Sequence, residues 1–187
     1  MQTTQCLRDE HKLILRILDC FEIALANASK TSEASAEVFD PFITFFKGFA
    51  DRCHHCKEED QLFPTLEKQG IPREGGPIGI MLHEHEMGRY HVKEIAKNLP
   101  AANNGDADAI QAVIRQGYAF LSLLKNHITK EDHVLFNMAD QLVQGHDQTQ
   151  LLEAYRAAEE TDEYCKTIAD CLAVAEELTA KYGIAMP

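Results

Sequence analysis

A pattern that occurs twice in the chain places the strongest limit on its fold. Residues 54–63 and residues 127–136 share the order His-x-x-Lys-Glu-acidic-x-x-Leu-Phe. A Glu-His pair lies upstream of each copy, as Glu10-His11 and as Glu84-His85. Because residues four apart share one face of a helix, each His-x3-Glu directs an imidazole and a carboxylate towards the same point. The repeat therefore predicts helices that carry two equal sets of His and Glu side chains.

Apolar residues recur every three to four positions through most of the chain, whereas Gly and Pro cluster between these stretches. This spacing is typical of amphipathic helices, and no segment has the alternation of a strand. Four long helices are predicted at about residues 4–28, 41–63, 77–99 and 106–144. A fifth is predicted at about residues 149–182, with Gly183 as its C-cap.

The bounds of the second and third helices depend on prolines. Asp40 is the expected N-cap of the second helix, with Pro41 at the first helical position, and an additional turn that starts at Ser35 is an alternative. Pro64 is expected to end or kink this helix because a proline cannot donate the next backbone hydrogen bond. Pro77 is expected to open the third helix after a glycine-rich loop.

Short connections between the first four helices predict an all-α fold, an up-down-up-down antiparallel four-helix bundle. With 187 residues the chain is predicted to be one domain, with the bundle at about residues 4–144 and the fifth helix appended to its flank. Each His of the repeat then falls on a different helix of the bundle. Metal sites inside helix bundles are built in this way.

Composition argues against several classes of function. A net charge of −12 repels a phosphate backbone, so no nucleic-acid partner is expected. No apolar run reaches the roughly 18 residues of a membrane span. The N-terminal residues lack the basic and apolar regions of a signal peptide, so a cytoplasmic location with six free cysteines is expected. Cys53-x2-Cys56 is a weak signal for a redox pair, because it lies inside a helical pattern and has no second Cys-x2-Cys.

The repeat supplies six candidate metal ligands: His11, His54, Glu58, His85, His127 and Glu131. Imidazoles combined with carboxylates suit iron, manganese or zinc. Six groups are too many for one tetrahedral zinc ion, and two carboxylates that can bridge suit two metal ions. A single His on an apolar stripe is more often a hydrogen-bonded core residue, but four of them on four helices are unfavourable to bury without a partner. Metal binding is therefore the favoured interpretation.

His55 competes with His54, because His55 and Glu59 are also spaced by four. The repeat decides between them: it aligns His54 with His127, whereas His55 aligns with Ile128, which cannot bind a metal. We therefore expect His55 to lie outside the ligand set. Glu59 and Asp132 occupy equivalent places and are expected to accept hydrogen bonds near the site.

Three segments resemble the hemerythrin-like (HHE cation-binding) family, namely residues 53–64, 75–89 and 126–132 within a match that covers roughly residues 4–140. The resemblance implies an antiparallel four-helix bundle around a non-haem di-iron centre, often oxo-bridged. It assigns the two iron ions to these side chains, with the two glutamates bridging: His11, His54, His85, His127, Glu58 and Glu131. It also makes Asp132 an alternative ligand, since His-x4-Asp is a ligand spacing in a related family.

The chain departs from the oxygen-carrying hemerythrins at one position. Those proteins have His-x3-His on the third helix, whereas the residue four beyond His85 is Arg89. The resemblance therefore argues against simple reversible oxygen carriage. The chain is also similar to proteins that repair iron–sulfur centres, although those have an additional Cys-bearing domain before the first helix.

These observations lead to an expected function and two alternatives. We expect a di-iron protein that binds, senses or reacts with oxygen, nitric oxide or peroxide, with enzymatic turnover of peroxide or nitric oxide left open. The alternatives are iron handling for the repair of iron–sulfur centres and metal buffering without a redox role. Bulky apolar residues beside the ligands are expected to pack tightly and to leave only a narrow approach: Phe42, Phe46, Leu82, Val92, Phe120 and Leu124.

Overall fold

The computed structural model describes residues 3–187, apart from the side chains of residues 162, 163 and 165. In that part of the chain the regular structure is entirely helical, which confirms the predicted all-α class. Four helices have uniform geometry: α1 (Gln5–Thr31), α3 (Pro77–Asn103), α5 (Gly145–Glu159) and α6 (Asp162–Tyr182). The other two, α2 over residues 36–68 and α4 over residues 107–142, change geometry along their length.

Helices α2 and α4 contain π-helical turns where they carry the repeat. Helix α2 is α-helical over Ala36–Phe45, π-helical over Phe46–His55 and Glu58–Leu62, and α-helical again over Phe63–Lys68. Helix α4 consists of α-helical Ala107–Lys130, π-helical Glu131–Leu135 and α-helical Phe136–Leu142. Because a π turn contains an additional residue, it changes which side chains face the bundle interior. Such turns often mark functional sites.

The two prolines of α2 both lie inside the helix. The helix begins at Ala36 after Ser35, so the alternative start is correct and the predicted N-cap at Asp40 is wrong. Pro64 does not end the helix either, because it directly follows the π segment. The Phe63 N–H still bonds across five residues to Glu58, and Pro64, which has no N–H, stands where the register returns to four.

Helices α1–α4 form the predicted four-helix bundle. Helices α3 and α4 pack along each other, with Asp106 capping the start of α4 through its side chain, and α1 packs against α4. The buried apolar residues form two clusters, one at each end of the bundle. On each of the four helices the residues of the repeat lie between these two clusters. The candidate site is therefore a polar layer inside an otherwise apolar core.

The segment predicted as one appended helix is two helices, α5 and α6. The first helix ends at Glu159, and the Thr161 side chain accepts a hydrogen bond from the Tyr164 N–H at the start of α6. Because the two helices are separate, each covers a different apolar cluster. Leu151 and Tyr155 of α5 join the cluster at the end that holds Leu7, whereas α6 packs against α1 and α2 at the other end.

The structure also bears on the predictions about membrane spans and cysteines. No helix in the described part of the chain combines the length and apolar character that a membrane span requires. The cysteines with described side chains are free thiols, namely Cys6, Cys20, Cys53, Cys56 and Cys171. The prediction of a free thiol at Cys165 lies outside the described residues, as do Met1 and Gln2 of the N-terminal segment.

Candidate metal centre

All six residues selected from the repeat meet inside the bundle. One His comes from each of the four helices, and the two glutamates come from the π segments of α2 and α4. Each side chain is at most 1% exposed: His11, His54, Glu58, His85, His127 and Glu131. The structure therefore brings the predicted residues together, and their role as metal ligands remains a prediction.

The donor atoms fall into two groups that share Glu58. We call the group of His11, His54, Glu58 and Glu131 the closed half, and the group of His55, His85, His127 and Glu58 the open half. Within each group the potential ligand atoms lie within 4.8 Å of one another. Two adjacent groups with a common carboxylate are the arrangement that two neighbouring metal ions require.

The two carboxylates lie between the halves in a way that suits bridging. Glu58 directs Oε1 towards Nε2 of His54 at 3.5 Å and Oε2 towards Nε2 of His85 at 3.5 Å, which is one oxygen for each half. Glu131 Oε2 lies 3.3 Å from Nε2 of His11 and 3.2 Å from Nε2 of His127. Both carboxylates therefore contact histidines of both halves.

The atoms that face the centre of the site include buried polar atoms without a hydrogen-bond partner. They are Nε2 of His11 and His54 and all four carboxylate oxygens of Glu58 and Glu131. Buried polar groups in proteins are nearly always paired, so a cluster of unpaired ones needs a partner from outside the chain. The donor set of imidazole nitrogen and carboxylate oxygen fits a divalent or trivalent transition-metal ion.

A closed ring of carboxylates orients the four histidines of the repeat. In each case Nδ1 of a histidine faces a carboxylate of the preceding helix, and α4 completes the ring by serving α1. The contacts measure 2.9 Å for His11–Asp132, 2.8 Å for His54–Glu10, 2.6 Å for His85–Glu59 and 2.9 Å for His127–Glu84. When Nδ1–H donates to a carboxylate, the lone pair of Nε2 is free to face the site.

This ring includes residues that were anticipated and residues that were missed. Glu59 and Asp132 accept hydrogen bonds as the repeat predicted. Glu10 and Glu84 were not predicted to contact the histidines, and in the sequence they stand out only as the first residue of each Glu-His pair. That pairing was the signal, because each glutamate lies beside one ligand on its own helix and reaches the ligand of the next helix.

Each of these four carboxylates also contacts a Lys or Arg side chain. Lys57 donates to Glu10, and its repeat counterpart Lys130 donates to Glu84. Arg8 contacts Asp132, with Nη1 3.5 Å from Oδ1, and Arg89 donates to Glu59 at 2.7 Å. The Lys that occurs in both copies of the repeated pattern therefore contacts a carboxylate behind the site. The charge of Lys57 opposes the rise in the pKa of Glu10 that burial causes, and the carboxylate fixes the imidazole.

His55, which the repeat had excluded, lies in the open half. Its side chain is 7% exposed, and its ring stacks on that of His85 with 3.8 Å between the centroids. The expectation assumed α-helical geometry, in which neighbouring residues such as His54 and His55 face different directions. Both lie on a π segment of α2, and there both face the interior.

A cavity of about 420 Å³ reaches the open half from the surface. Its floor contains His55, His85 and His127, whereas the described lining includes neither His11 nor His54. Its walls are mostly apolar and include Phe46, Ala50, Gly88, Val92, Phe120 and Leu124. Gly88 contributes by having no side chain. Of the six apolar residues expected to pack beside the ligands, Phe46, Val92, Phe120 and Leu124 line this cavity, whereas Phe42 is buried in the apolar core. The narrow approach stays a prediction.

The closed half is covered by the helices that follow the bundle. Lys57 is 1% exposed and binds both Glu10 and Glu159, the last residue of α5. Tyr155 of α5 also lies over this side, and its buried hydroxyl group has no hydrogen-bond partner among the described residues. Burial raises the pKa of that hydroxyl well above its usual range, and the nearby Cys6 and Glu58 add to this effect.

Protons balance the charge of the site when no metal is bound. Burial raises the pKa of Glu58 well above its usual range, and the charge of Glu131 raises it further. Burial alone would raise the pKa of Glu131 too, but His127 and His11 hold it well below its usual range. Burial likewise works against the charged form of His127, but Glu131 and Glu84 outweigh it and raise its pKa to about 9. A metal ion must displace such protons.

The remaining polar candidates lie away from the centre. His133 and His146 are exposed, and His91 is half-buried with Nδ1 against Gln116 at 2.7 Å. His83 is exposed and belongs to neither group of donor atoms. Tyr90 and Tyr118 are 49% and 39% exposed, so neither contacts a ligand bound in the core.

Comparison with known proteins gives one match. The family described as the hemerythrin HHE cation binding domain matches residues 2–139, which is most of the chain and contains all seven of the buried His and Glu residues. No curated protein and no solved structure matches the chain.

Proposed function

The chain belongs to the hemerythrin HHE cation-binding family, and we propose that it holds two iron ions and binds, senses or reacts with a small ligand at the open half. The ligand is oxygen, nitric oxide or a peroxide. We place this activity in the cytoplasm, and the free thiols described above fit such a reducing compartment.

One observation carries the proposal: two buried groups of His and Glu donors share a carboxylate that directs one oxygen to each group. A single ion does not satisfy both groups of donors. Iron is favoured over zinc because the chain belongs to the hemerythrin HHE family, to which the resemblance assigns a di-iron centre, and because imidazoles combined with carboxylates suit iron.

Bound iron would supply coordination positions and electrons for a diatomic or peroxide ligand. The chain's own residues orient the ligands and shape the approach to the site. The carboxylate ring fixes the imidazoles, and the cavity gives a ligand a mostly apolar approach to the open half from the surface. The cavity brings a ligand to one half of the site only, so we expect reactivity to be unequal between the two metals.

The size of the cavity favours a second candidate among the peroxides. A volume of about 420 Å³ lies within the range of roughly 300–1,000 Å³ that is typical of pockets for organic ligands. The apolar walls suit the body of an organic hydroperoxide better than a hydrated ion. Comparing hydrogen peroxide with cumene hydroperoxide on the oxidised protein separates these candidates: a faster spectral change with the organic compound favours the second.

Metal content and absorption test the main proposal. The protein is loaded with ferrous iron without oxygen, oxidised, and assayed for iron per chain. We expect two ions and a near-ultraviolet absorption that zinc does not give. Peroxide added to the oxidised form, or nitric oxide added to the reduced form, should change this spectrum.

The alternatives predict other results. One ion per chain contradicts the two-metal proposal. Two ions with no response to saturating peroxide or nitric oxide favour metal buffering. Rapid transfer of iron to an apo iron–sulfur protein, with no ligand response, favours iron handling for repair.

A further inference from the structure

We propose that His55 is a third imidazole ligand of the metal ion in the open half, beside His85 and His127. This inference rests on the two-metal site proposed above, and it goes beyond the ligand set that the repeat and the family resemblance supply. It makes the two metal ions chemically unequal, with three imidazoles on one and two on the other.

The position of His55 is that of a ligand. One of its ring nitrogens lies within 4.8 Å of donor atoms of Glu58, His85 and His127. Its ring is stacked on that of His85 at 3.8 Å between centroids. The other ring nitrogen, Nδ1, faces the carboxylate of Asp51 at 3.5 Å, so Nε2 is the nitrogen on the side of the site.

His55 also faces a carboxylate through Nδ1, at 3.5 Å, a longer distance than the 2.6–2.9 Å of the four histidines of the repeat. Each of those four faces a carboxylate through Nδ1, and each carboxylate is held by a cation. For His55 the carboxylate is Asp51, and Arg89 donates to its Oδ1 at 2.8 Å. The Nδ1 atom of His55 is buried and has no closer partner, so the ring is held by packing and by this carboxylate.

Arg89 of α3 does not bind a metal itself, but it contacts the carboxylates behind His55 and His85. Arg89 stands four residues beyond His85, and a guanidinium has no lone pair to give to a metal. Instead it donates to both Asp51 and Glu59, the carboxylates that face His55 and His85. The residue at this position of α3 therefore orients two histidines, and α2 supplies the imidazole that α3 lacks.

The closed half has no equivalent of His55. The repeat places Ile128 there, a buried apolar residue that is 2% exposed. A purely structural role for position 55 would be served by an apolar side chain in the same way. A buried imidazole is unfavourable in this place unless its nitrogens find partners.

The test uses Co²⁺ bound to the full-length protein. A histidine bound through Nε2 keeps its Nδ1–H, and nearby Co²⁺ shifts the NMR signal of that proton far from the usual range. The wild-type protein with two Co²⁺ ions should show five such exchangeable signals. His55→Phe keeps an aromatic ring against His85 but has no nitrogen, so it should show four. It should also bind one Co²⁺ ion more weakly, by more than the roughly 10–100-fold loss that is typical when a residue behind a ligand is changed.

Controls separate ligand loss from misfolding and from failure of the two-metal site. His91→Phe changes a half-buried His outside the site and should leave five signals. If His55→Phe does not fold, His55→Gln is measured in its place, because the amide is a poor ligand of similar polarity. Four signals in the wild type, or Co²⁺ binding unchanged in the variant, would overturn the assignment of His55. A wild-type protein that binds only one Co²⁺ ion contradicts the two-metal proposal, and five shifted signals are then impossible.

Discussion

The two halves of the site use the same ligand types from repeated sequence, but their surroundings differ. In the closed half, α5 covers Lys57 and the approach from that side. In the open half, the counterpart Lys130 is 41% exposed, and a cavity reaches the histidines. Three residues after His11 stands Ile14, whereas three residues after His85 stands Gly88.

This difference shows how a duplicated ligand set acquires one reactive side. The repeat preserves the candidate metal-binding residues and the carboxylates behind them, so both halves offer a similar set of donor atoms. The residues one turn away and the helices outside the repeat decide which ion a ligand can reach. The duplication therefore accounts for the presence of the site, and its environment accounts for its asymmetry.

The largest effect is expected at the residue that belongs to both halves. Glu58→Ala removes the carboxylate that directs one oxygen to each half, so both metal ions should be lost or bound far more weakly. Elemental analysis after iron loading measures this. Glu86→Ala, on the exposed surface of α3, is the control and should retain two ions. Retention of two ions in Glu58→Ala would show that the halves do not depend on a shared residue.

The two repeated lysines should differ in their contribution to stability. Lys57→Met removes a lysine that is 1% exposed from its pair with Glu10, and breaking a buried ion pair costs about 3 kcal/mol. Lys130→Met affects a pair whose lysine is 41% exposed, and an exposed pair is worth less than about 1 kcal/mol. For a chain of this size we expect melting temperatures lower by roughly 6–12 °C and by less than about 4 °C. Equal losses in the two variants, measured by circular dichroism on metal-free protein, would mean that α5 does not separate the halves.

Substituting Gly88 should make the open half resemble the closed half. Gly88→Ile copies the residue found at the equivalent place, and its Cβ would meet the Phe120 ring at an ordinary 3.6 Å. The rest of the side chain would occupy the cavity, so ligand binding should slow several-fold while metal content stays the same. Stopped-flow absorption with nitric oxide or cumene hydroperoxide measures the rate. Gly117→Ala is a contrasting variant, because its Cβ would clash with Leu25 at 2.4 Å and should lower stability rather than access.

Two counterpart histidines should titrate differently in the metal-free protein. Burial lowers the pKa of His54 well below its usual range, and the charge of His11 lowers it further, whereas the pKa of His127 is raised to about 9. At pH 7.5 we expect His54 neutral and His127 charged, which NMR titration of the ring signals measures. The stability that His127 contributes is present below its unfolded pKa of about 6.5 and is lost as the pH rises through 9. Metal binding at pH 7.5 should therefore release a proton from His127, and matching titrations of the two rings would remove this difference.

The sequence predicted much of the fold and most of the site, and the errors have physical causes. Periodicity and loop residues gave the four helices, including the starts at Pro77 and Asp106. Pro41 misled because it lies inside the α-helical segment Ala36–Phe45 instead of starting the helix. Pro64 misled because it directly follows a π segment, in which the Phe63 N–H bonds to Glu58. A π segment also turns His55 towards the interior, which the repeat did not predict. The single helix expected after the bundle is two, because Thr161 caps a new start that periodicity alone did not reveal.

The sequence by itself determined the ligand types and their pairing, because His-x3-Glu fixes which side chains share a helical face whatever the surrounding fold. It also contained the carboxylates and cations behind the ligands, as Glu10, Glu84 and the lysine of the repeated pattern. Only the tertiary structure decided which helix each carboxylate serves, that His55 turns inward, and which half meets the cavity. Those outcomes depend on π turns and on contacts between segments far apart in the chain, and local periodicity does not encode either of them.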